Sequence, residues 1–197
     1  GSGVVHDEFH SREFSEKGGE FEMIQLWVNL PSKFKMTPPR YQSFEEKDFP
    51  VFDLENHKIS VKVIAGGFKS ISSSVQTHSP INIYEINGSL GSQLKIPLPE
   101  VSNTLVFQLS GKSSIGEQAV EQGNLAILGR SGDSLNLEFY EESKVMILNG
   151  EPLDETVAAY GPFVMNTKQE LMDAFKDFQE GKMGQLVNET NPIMVKV

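Results

Sequence analysis

The residues best suited to metal chemistry lie in the opening segment, residues 3–10. In an extended strand, side chains two residues apart point the same way, so His6, Glu8 and His10 would share one face. Two imidazoles and one carboxylate are the ligand set of mononuclear non-haem iron oxygenases, and imidazole with carboxylate also suits Mn, Ni, Cu or Zn. The same alternation also occurs in solvated strands and tails. The spacing alone leaves both interpretations open.

A second strand is predicted over residues 21–30, which are rich in aliphatic and aromatic side chains. One of its faces carries Gln25, Trp27 and Asn29, a mixture of amide and aromatic groups that is typical of a pocket lining. An ordinary half-exposed strand has the same pattern. We therefore predict either a pocket wall or a simple amphipathic strand here.

Composition limits the classes of partner and of site. The 197-residue chain has a formal net charge of −10, which argues against nucleic acid or an anionic membrane as a main partner. It has no Cys, so disulfides, thiolate metal sites and cysteine nucleophiles are excluded. No stretch is typical of a signal peptide or a membrane span, and we expect a soluble, cytoplasmic protein, or a nuclear one in a eukaryote.

The rest of the chain predicts an all-β fold with a C-terminal helix. Four prolines make residues 31–50 a connector. Short strand candidates follow at regular intervals, which indicates an antiparallel sandwich or barrel. They are residues 59–65, 81–86, 105–109, 125–128, 135–140 and 145–148.

One helix is predicted after Thr167. Thr167 as N-cap and Glu170 three residues later form a capping-box pattern, and apolar residues then recur at helical spacing until Gly181. By contrast, residues 10–19 are polar, contain Gly18-Gly19 and predict a loop. Residues 193–197 are predicted either to add an edge strand or to stay mobile.

Several segments together resemble the pirin family of the cupin superfamily. The similarity runs over most of the chain. The matching segments are Gly3-Val4-Val5-His6-Asp7-Glu8, Gln25-Leu26-Trp27-Val28-Asn29-Leu30, Pro39-Arg40-Tyr41-Gln42, Gly150-Glu151-Pro152-Leu153 and Tyr160-Gly161-Pro162-Phe163-Val164-Met165-Asn166-Thr167.

The resemblance implies a bicupin, with a metal, usually iron, in the first of two barrels. In the family, the metal is held by an upstream His-x-His pair and a His-x-Glu pair. His6 and Glu8 match the second pair, whereas His10 matches no family ligand and is expected at the surface or behind the ligands. The upstream pair has no counterpart here, so the cofactor, Fe(II) or another divalent metal, is expected to bind weakly to this chain or not at all.

The same comparison implies an incomplete first barrel. Gly3-Val4-Val5-His6 matches the end of the family's Pro-x-Gly-x-x-His motif, and the sequence lacks an initiating Met, so we expect a truncated or processed form. Its exposed strand edges would favour a homo-oligomer that covers them or a disordered start. The expected division is a first-barrel remnant and linker (1–53), a C-terminal barrel (54–166), and a helix and tail (167–197).

The cupin ligand spacing can be tested in the second barrel as well. Starting from Gly91, the family spacing places Pro97, Pro99 and Thr104 at the ligand positions and Gly111 at the closing turn. None of the three is a metal ligand of the kind required. The second barrel is therefore predicted to be structural.

The resemblance implies a quercetin 2,3-dioxygenase, with Glu8 as ligand or catalytic base and Phe9 and Trp27 stacking on a flat flavonol. Core packing is the alternative for both rings. A metal- or redox-responsive regulator that acts through a protein partner, and a scaffold without activity, are the other two hypotheses.

Overall fold

The protein is described by a computed structural model that covers residues 1–186. Contacts divide the chain into two compact units, each described by itself below: unit 1 is Gly1–Tyr41 with the described part of Asp154–Val197, and unit 2 is Gln42–Leu153. The strand considered for residues 193–197 lies outside the described residues. The domain boundaries expected after residues 53 and 166 remain predictions.

Unit 2 is an antiparallel two-sheet structure. A 3-10 helix, Glu46–Asp48, precedes its strands. The strands in chain order are β1 (Val51–Leu54), β2 (Ile59–Ala65), β3 (Gly67–Phe68), β4 (Ile71–Ser72), β5 (Ile81–Gly88), β6 (Gln93–Pro97), β7 (Asn103–Ser110), β8 (Lys112–Ile115), β9 (Gln118–Glu121), β10 (Leu125–Ile127), β11 (Ser134–Phe139) and β12 (Ser143–Gly150). The larger sheet has the order β1-β2-β5-β12-β7-β10, the smaller one β6-β11-β8-β9, and β3 pairs with β4.

The core of unit 2 lies between the two sheets. Alternate residues of β2 are buried, Ile59, Val61 and Val63 among them, as the period of two in a half-buried strand requires. Leu135 and Leu137 of β11 contribute to the same apolar cluster from the smaller sheet. Each such side chain stabilises the fold by about 1.5–3 kcal/mol relative to an exposed position.

Unit 1 contains two α-helices, a 3-10 helix and a β-hairpin. It contains α1 (Arg12–Lys17), a 3-10 helix at Ser32–Phe34, the hairpin β13 (Ala158–Tyr160) and β14 (Phe163–Met165), and α2 (Lys168–Gln179). The ring of Phe175 on α2 packs against Phe163, with centroids 4.8 Å apart, and against Tyr160 at 5.7 Å. The aromatic contacts fix the helix on the hairpin.

Glu155 joins two segments of unit 1 that are more than a hundred residues apart in sequence. Its carboxylate accepts hydrogen bonds from the backbone N–H of Ser32 (2.8 Å), the Ser32 hydroxyl (2.9 Å) and Asn166 Nδ2 (3.1 Å). The backbone hydrogen bond from Ser32 contributes most to holding the pKa of Glu155 below its usual value.

All six strands and the one helix that were predicted beyond residue 50 are present in the structure. The predicted strand 59–65 has the bounds of β2, and the five other predicted strands fall on β5, β7, β10, β11 and β12 with end shifts of a few residues. Thr167 caps α2 with the predicted box. The pattern missed the shorter strands β1, β3, β4, β6, β8, β9, β13 and β14. In β8, for example, the adjacent Ser113 and Ser114 interrupt any apolar alternation.

Two strand predictions near the start are wrong. Neither residues 3–10 nor residues 21–30 form a strand, and most side chains of the second segment are exposed. Alternation alone does not make a strand, because an isolated strand gains no cross-strand hydrogen bonds. Part of the predicted loop 10–19 is instead helix α1, which Ser11 caps by accepting from the Phe14 N–H.

The described helices do not include a membrane span. Within residues 1–186, none of them is both long and apolar enough to cross a bilayer.

The cap of α2 gives a stability prediction. Thr167 Oγ1 accepts from the Glu170 N–H, and Glu170 Oε2 accepts from the Thr167 N–H. Thr167→Ala is therefore expected to lower the free energy of unfolding by about 1 kcal/mol, measured by urea denaturation. Thr167→Ser, which keeps the hydroxyl, is the control and is expected to stay close to wild type. Equal stability of all three proteins would contradict the role of the cap.

The Glu155 cluster gives a pH prediction. The pKa of folded Glu155 lies below its usual value of 4.5. The hydrogen bonds to the Glu155 carboxylate therefore stabilise the fold above pH 4.5, and this contribution is lost as the pH falls through the folded-state pKa. Glu155→Gln is expected to be less stable than wild type at pH 7, and the difference in stability between the two proteins is expected to narrow as the pH falls. Thermal unfolding from pH 7 to pH 3 measures it, and a gap that stays constant with pH would contradict the assignment.

Candidate functional site

The opening segment is anchored within unit 1 by its backbone. Ser2 N donates to Thr37 O (2.8 Å), and Val5 N donates to Met183 O (3.0 Å). Gly3, with φ of +111°, passes so close to Met183 that a Cβ there would lie 2.5 Å from the sulfur. The backbone leading to the predicted ligands is therefore held by these hydrogen bonds, and its positive φ at Gly3 favours glycine.

Of the two predicted ligands, Glu8 has a defined partner. Both His6 and Glu8 are exposed. Glu8 Oε1 accepts a hydrogen bond of 3.0 Å from Gln25 Nε2, 17 residues further along the chain. An amide that donates to a carboxylate leaves its charge intact and restricts its rotation, which is how ligand carboxylates are commonly oriented.

The other residues of the predicted pocket separate into different environments. Phe9 and Trp27 are 74% and 65% exposed, so the core-packing alternative is wrong for both rings. Asn29 instead accepts a hydrogen bond of 2.7 Å from Lys35 Nζ. The structure thus connects Gln25 to Glu8 and Asn29 to a lysine, although the alternation had placed both amides on one strand face.

Lys35 is a charged residue that the sequence analysis did not single out. Its residue surface is only 5% exposed. Burial lowers the pKa of Lys35, and the negative charges of Glu155 and Glu170 partly offset that effect. The positive charge of Lys35 therefore balances the negative charges of Glu155 and Glu170. No sequence signal pointed to this role, because a single Lys in a Pro-rich segment is usually solvated.

His10 belongs to a ring cluster. Its imidazole lies 4.5 Å from the Phe21 ring and 5.3 Å from the Phe14 ring, centroid to centroid. The imidazole of His10 therefore packs against two aromatic rings, and its expected place outside the ligand set stays a prediction.

The described residues fit a metal in ligand type but not in ligand number. Imidazole and carboxylate suit a divalent transition metal. Among residues 1–186, however, no three His, Asp or Glu side chains are grouped closely enough to hold one. His6 and Glu8 are at most half of a cupin ligand set, called the His6–Glu8 half-site below.

In unit 2, the ligand positions of the cupin pattern hold two exposed prolines and one buried threonine. Gly91 and Gly111 have φ of +76° and +74°, as tight turns require, while Pro97 and Pro99 are exposed. Thr104 is buried and accepts a hydrogen bond from Asn149 Nδ2 at 2.9 Å.

Asn149 extends this buried hydrogen-bond network. Its Nδ2 also donates to Ser102 Oγ at 2.6 Å, and its Oδ1 accepts from Asn82 Nδ2 at 2.9 Å. The buried polar atoms are paired with each other at this end of the sheet.

Comparison with known proteins places these units in a family. The family model of the pirin C-terminal cupin domain matches residues 83–184. A Pseudomonas aeruginosa protein provisionally named a quercetin 2,3-dioxygenase is 39% identical over 181 residues, which are 92% of this chain and 63% of that protein. Human pirin is 34% identical over 190 residues, 93% of this chain and 63% of its own length.

A solved structure gives the same result for the fold. The crystal structure of a quercetin 2,3-dioxygenase from Acinetobacter baumannii is 43% identical and superposes with a TM-score of 0.87, over 91% of this chain and 62% of that one. The chain therefore spans a little under two thirds of the length of these relatives. From the matched cupin domain, the antiparallel sandwich and the identities above 30%, it follows that this chain belongs to the pirin family of cupins.

Proposed function

We propose that this chain contributes to a metal centre of the quercetin 2,3-dioxygenase type, with His6 and Glu8 as ligands for Fe(II) or another divalent transition metal. The single observation that carries the proposal is the 3.0 Å hydrogen bond by which Gln25 orients Glu8, two residues after His6. The names of the Pseudomonas and Acinetobacter relatives support the choice of reaction.

The centre needs ligands from outside the described residues. Two protein ligands hold a divalent ion weakly, since affinity rises with the number and preorganisation of ligands. Residues 1–186 group no third ligand with His6 and Glu8. A second polypeptide segment, whether from a longer form of the protein or from another copy, is therefore part of the proposal.

Glu8 and two aromatic side chains close in sequence to Glu8 and Gln25 suit a flat phenolic substrate. Glu8 Oε2, the oxygen that Gln25 does not contact, is the atom we assign to accept the proton of a flavonol hydroxyl. Trp27 and Phe9 are exposed and offer aromatic faces for stacking. A flavonol thus combines the two features that these residues can recognise, an acidic hydroxyl and a planar ring system.

The ligand assignment predicts the fate of bound iron. Fe(II) bound to the 197-residue chain is measured without oxygen by equilibrium dialysis at Fe(II) concentrations high enough to load a weak two-ligand site in wild type. His6→Ala and Glu8→Ala are expected to retain much less iron than wild type. The control is His10→Phe, which removes an imidazole from the same segment but keeps a ring against Phe14 and Phe21.

The outcomes separate the ligand assignment from the reaction. Equal iron in all four proteins would contradict His6 and Glu8 as ligands. Iron that is retained, with oxygen-dependent loss of quercetin, supports the dioxygenase. Iron that is retained without quercetin loss, but with metal-dependent binding of a protein partner, would favour the regulator instead.

Gln25 gives a separate prediction, because its role is to position Glu8. Gln25→Leu is expected to weaken Fe(II) binding by about tenfold, the lower end of the effect of losing a partner of a metal ligand. Gln118→Leu makes the same exchange at an exposed position of β9 and is the control. Competition with a fluorescent iron chelator measures both. An unchanged affinity in Gln25→Leu, with normal circular dichroism, would contradict the positioning role.

A further inference from the structure

The turn that follows α2, residues 180–184, joins the C-terminal part of unit 1 to the opening segment. Met183 in this turn is only 8% exposed. Its backbone carbonyl accepts a hydrogen bond of 3.0 Å from the N–H of Val5, the residue immediately before His6. Two segments that are distant in sequence therefore meet beside the predicted ligands. Residues 180–184 are called the α2 turn below.

The end of α2 determines the course of the α2 turn. The N–H of Gly181 donates to Phe178 O, and the N–H of Lys182 donates to Asp177 O, each at 3.0 Å. These two hydrogen bonds, with Gly181 in the left-handed region at φ of +75°, form a Schellman motif. The motif ends the helix at a defined residue, and the chain that follows it leads directly to Met183.

The side chain of Lys182 stabilises the same turn. Its Nζ lies 2.7 Å from Asp177 Oδ1 and 2.8 Å from Glu180 Oε2. Exposed ion pairs contribute little singly, but these two link the turn to the end of α2. Gly184 N also donates to Gly181 O at 3.3 Å. The α2 turn therefore has its own hydrogen bonds and ion pairs on both sides of Met183.

The α2 turn packs closely on the opening segment. At Gly3, a Cβ would lie 2.5 Å from the Met183 sulfur and 2.6 Å from its Cγ. The hydrogen bond from Val5 to the Met183 carbonyl follows two residues later. His6 is itself exposed, so this anchoring acts on the backbone that carries its imidazole.

An anchored backbone changes the cost of metal binding. A ligand on a free segment has to be ordered when the metal binds, and the lost conformational entropy is subtracted from the binding free energy. A segment that is already held in place needs less ordering, which is the advantage of preorganisation. His6 directly follows the anchored Val5, so this advantage applies to the His6–Glu8 half-site.

From these contacts we propose that the α2 turn regulates the His6–Glu8 half-site, with Met183 as a positioning residue. A divalent metal binds more tightly when the turn is docked on the opening segment and more weakly when the turn is released. The inference rests on the function proposed above, because it concerns the same metal. Such coupling is reciprocal, so the metal holds the turn in place by the factor by which the docked turn strengthens metal binding.

Reciprocity is tested on the wild-type 197-residue chain with Zn(II), a diamagnetic probe that imidazole and carboxylate ligands also suit. Amide hydrogen exchange at Val5, followed by NMR, reports release of the Met183 carbonyl. Saturating Zn(II) is expected to slow this exchange by about tenfold in wild type and to leave it unchanged in His6→Ala. Unchanged exchange at Val5 in wild type that binds Zn(II) through His6 would overturn the inference and leave the metal site standing.

Methionine variants test the coupling from the side of the metal. Zn(II) affinity is measured by isothermal titration calorimetry, and the binding that disappears in His6→Ala is assigned to the half-site. Met183→Ala removes the packing against Gly3 and is expected to weaken this binding by about fivefold. Met172→Ala makes the same exchange at a 58% exposed position of α2 and is expected to leave the affinity unchanged. Equal affinity in the two variants would overturn the role of Met183.

Glycine variants keep the test independent of Met183. Gly181→Val places a β-branched residue at a positive φ, so it is expected to disrupt the Schellman motif and to weaken Zn(II) binding by about fivefold. Gly116→Val makes the same exchange at φ of +58° between β8 and β9 and is expected to keep the wild-type affinity. Equal affinity in these two variants would contradict regulation by the α2 turn, whereas absence of His6-dependent binding in wild type would contradict the metal site itself.

Discussion

The fold of unit 2 depends on the pairing of β12 between β5 and β7. Ile147 lies opposite Tyr84 on one side and Val106 on the other, and all three side chains are buried. A shift of one residue would turn that row to the opposite face, so the apolar middle of the strands fixes the register. The same register places Asn149 beside Thr104 at one end and Ser143 beside Gly88 at the other.

Buried polar side chains find different hydrogen-bond partners at these two ends of the sheet. At the Asn149 end, amides and hydroxyls satisfy one another. At the Ser143 end, the Ser143 hydroxyl is within hydrogen-bond distance of the backbone carbonyls of Glu141 (2.9 Å) and Lys112 (3.2 Å).

The sequence predicted regular elements better than the site. Residues 59–65 and the capping box at Thr167 were found because their signals are local: alternate burial and a side chain reaching its own helix. Residues 21–30 have the same alternation but no partner strand, so the pattern predicted a strand that does not form. Gln25 was assigned to a pocket, and its contact with Glu8 could not be foreseen because it links positions 17 residues apart.

The central claim is that a divalent metal binds at His6 and Glu8. The most direct measurement is NMR of the ¹⁵N-labelled chain with substoichiometric Mn(II), whose unpaired electrons broaden the signals of nearby nuclei. Our account predicts that broadening centres on the amides of residues 5–9 and on the side chain of Gln25. Broadening centred on His57 or His78, or spread evenly over the acidic surface, would contradict it.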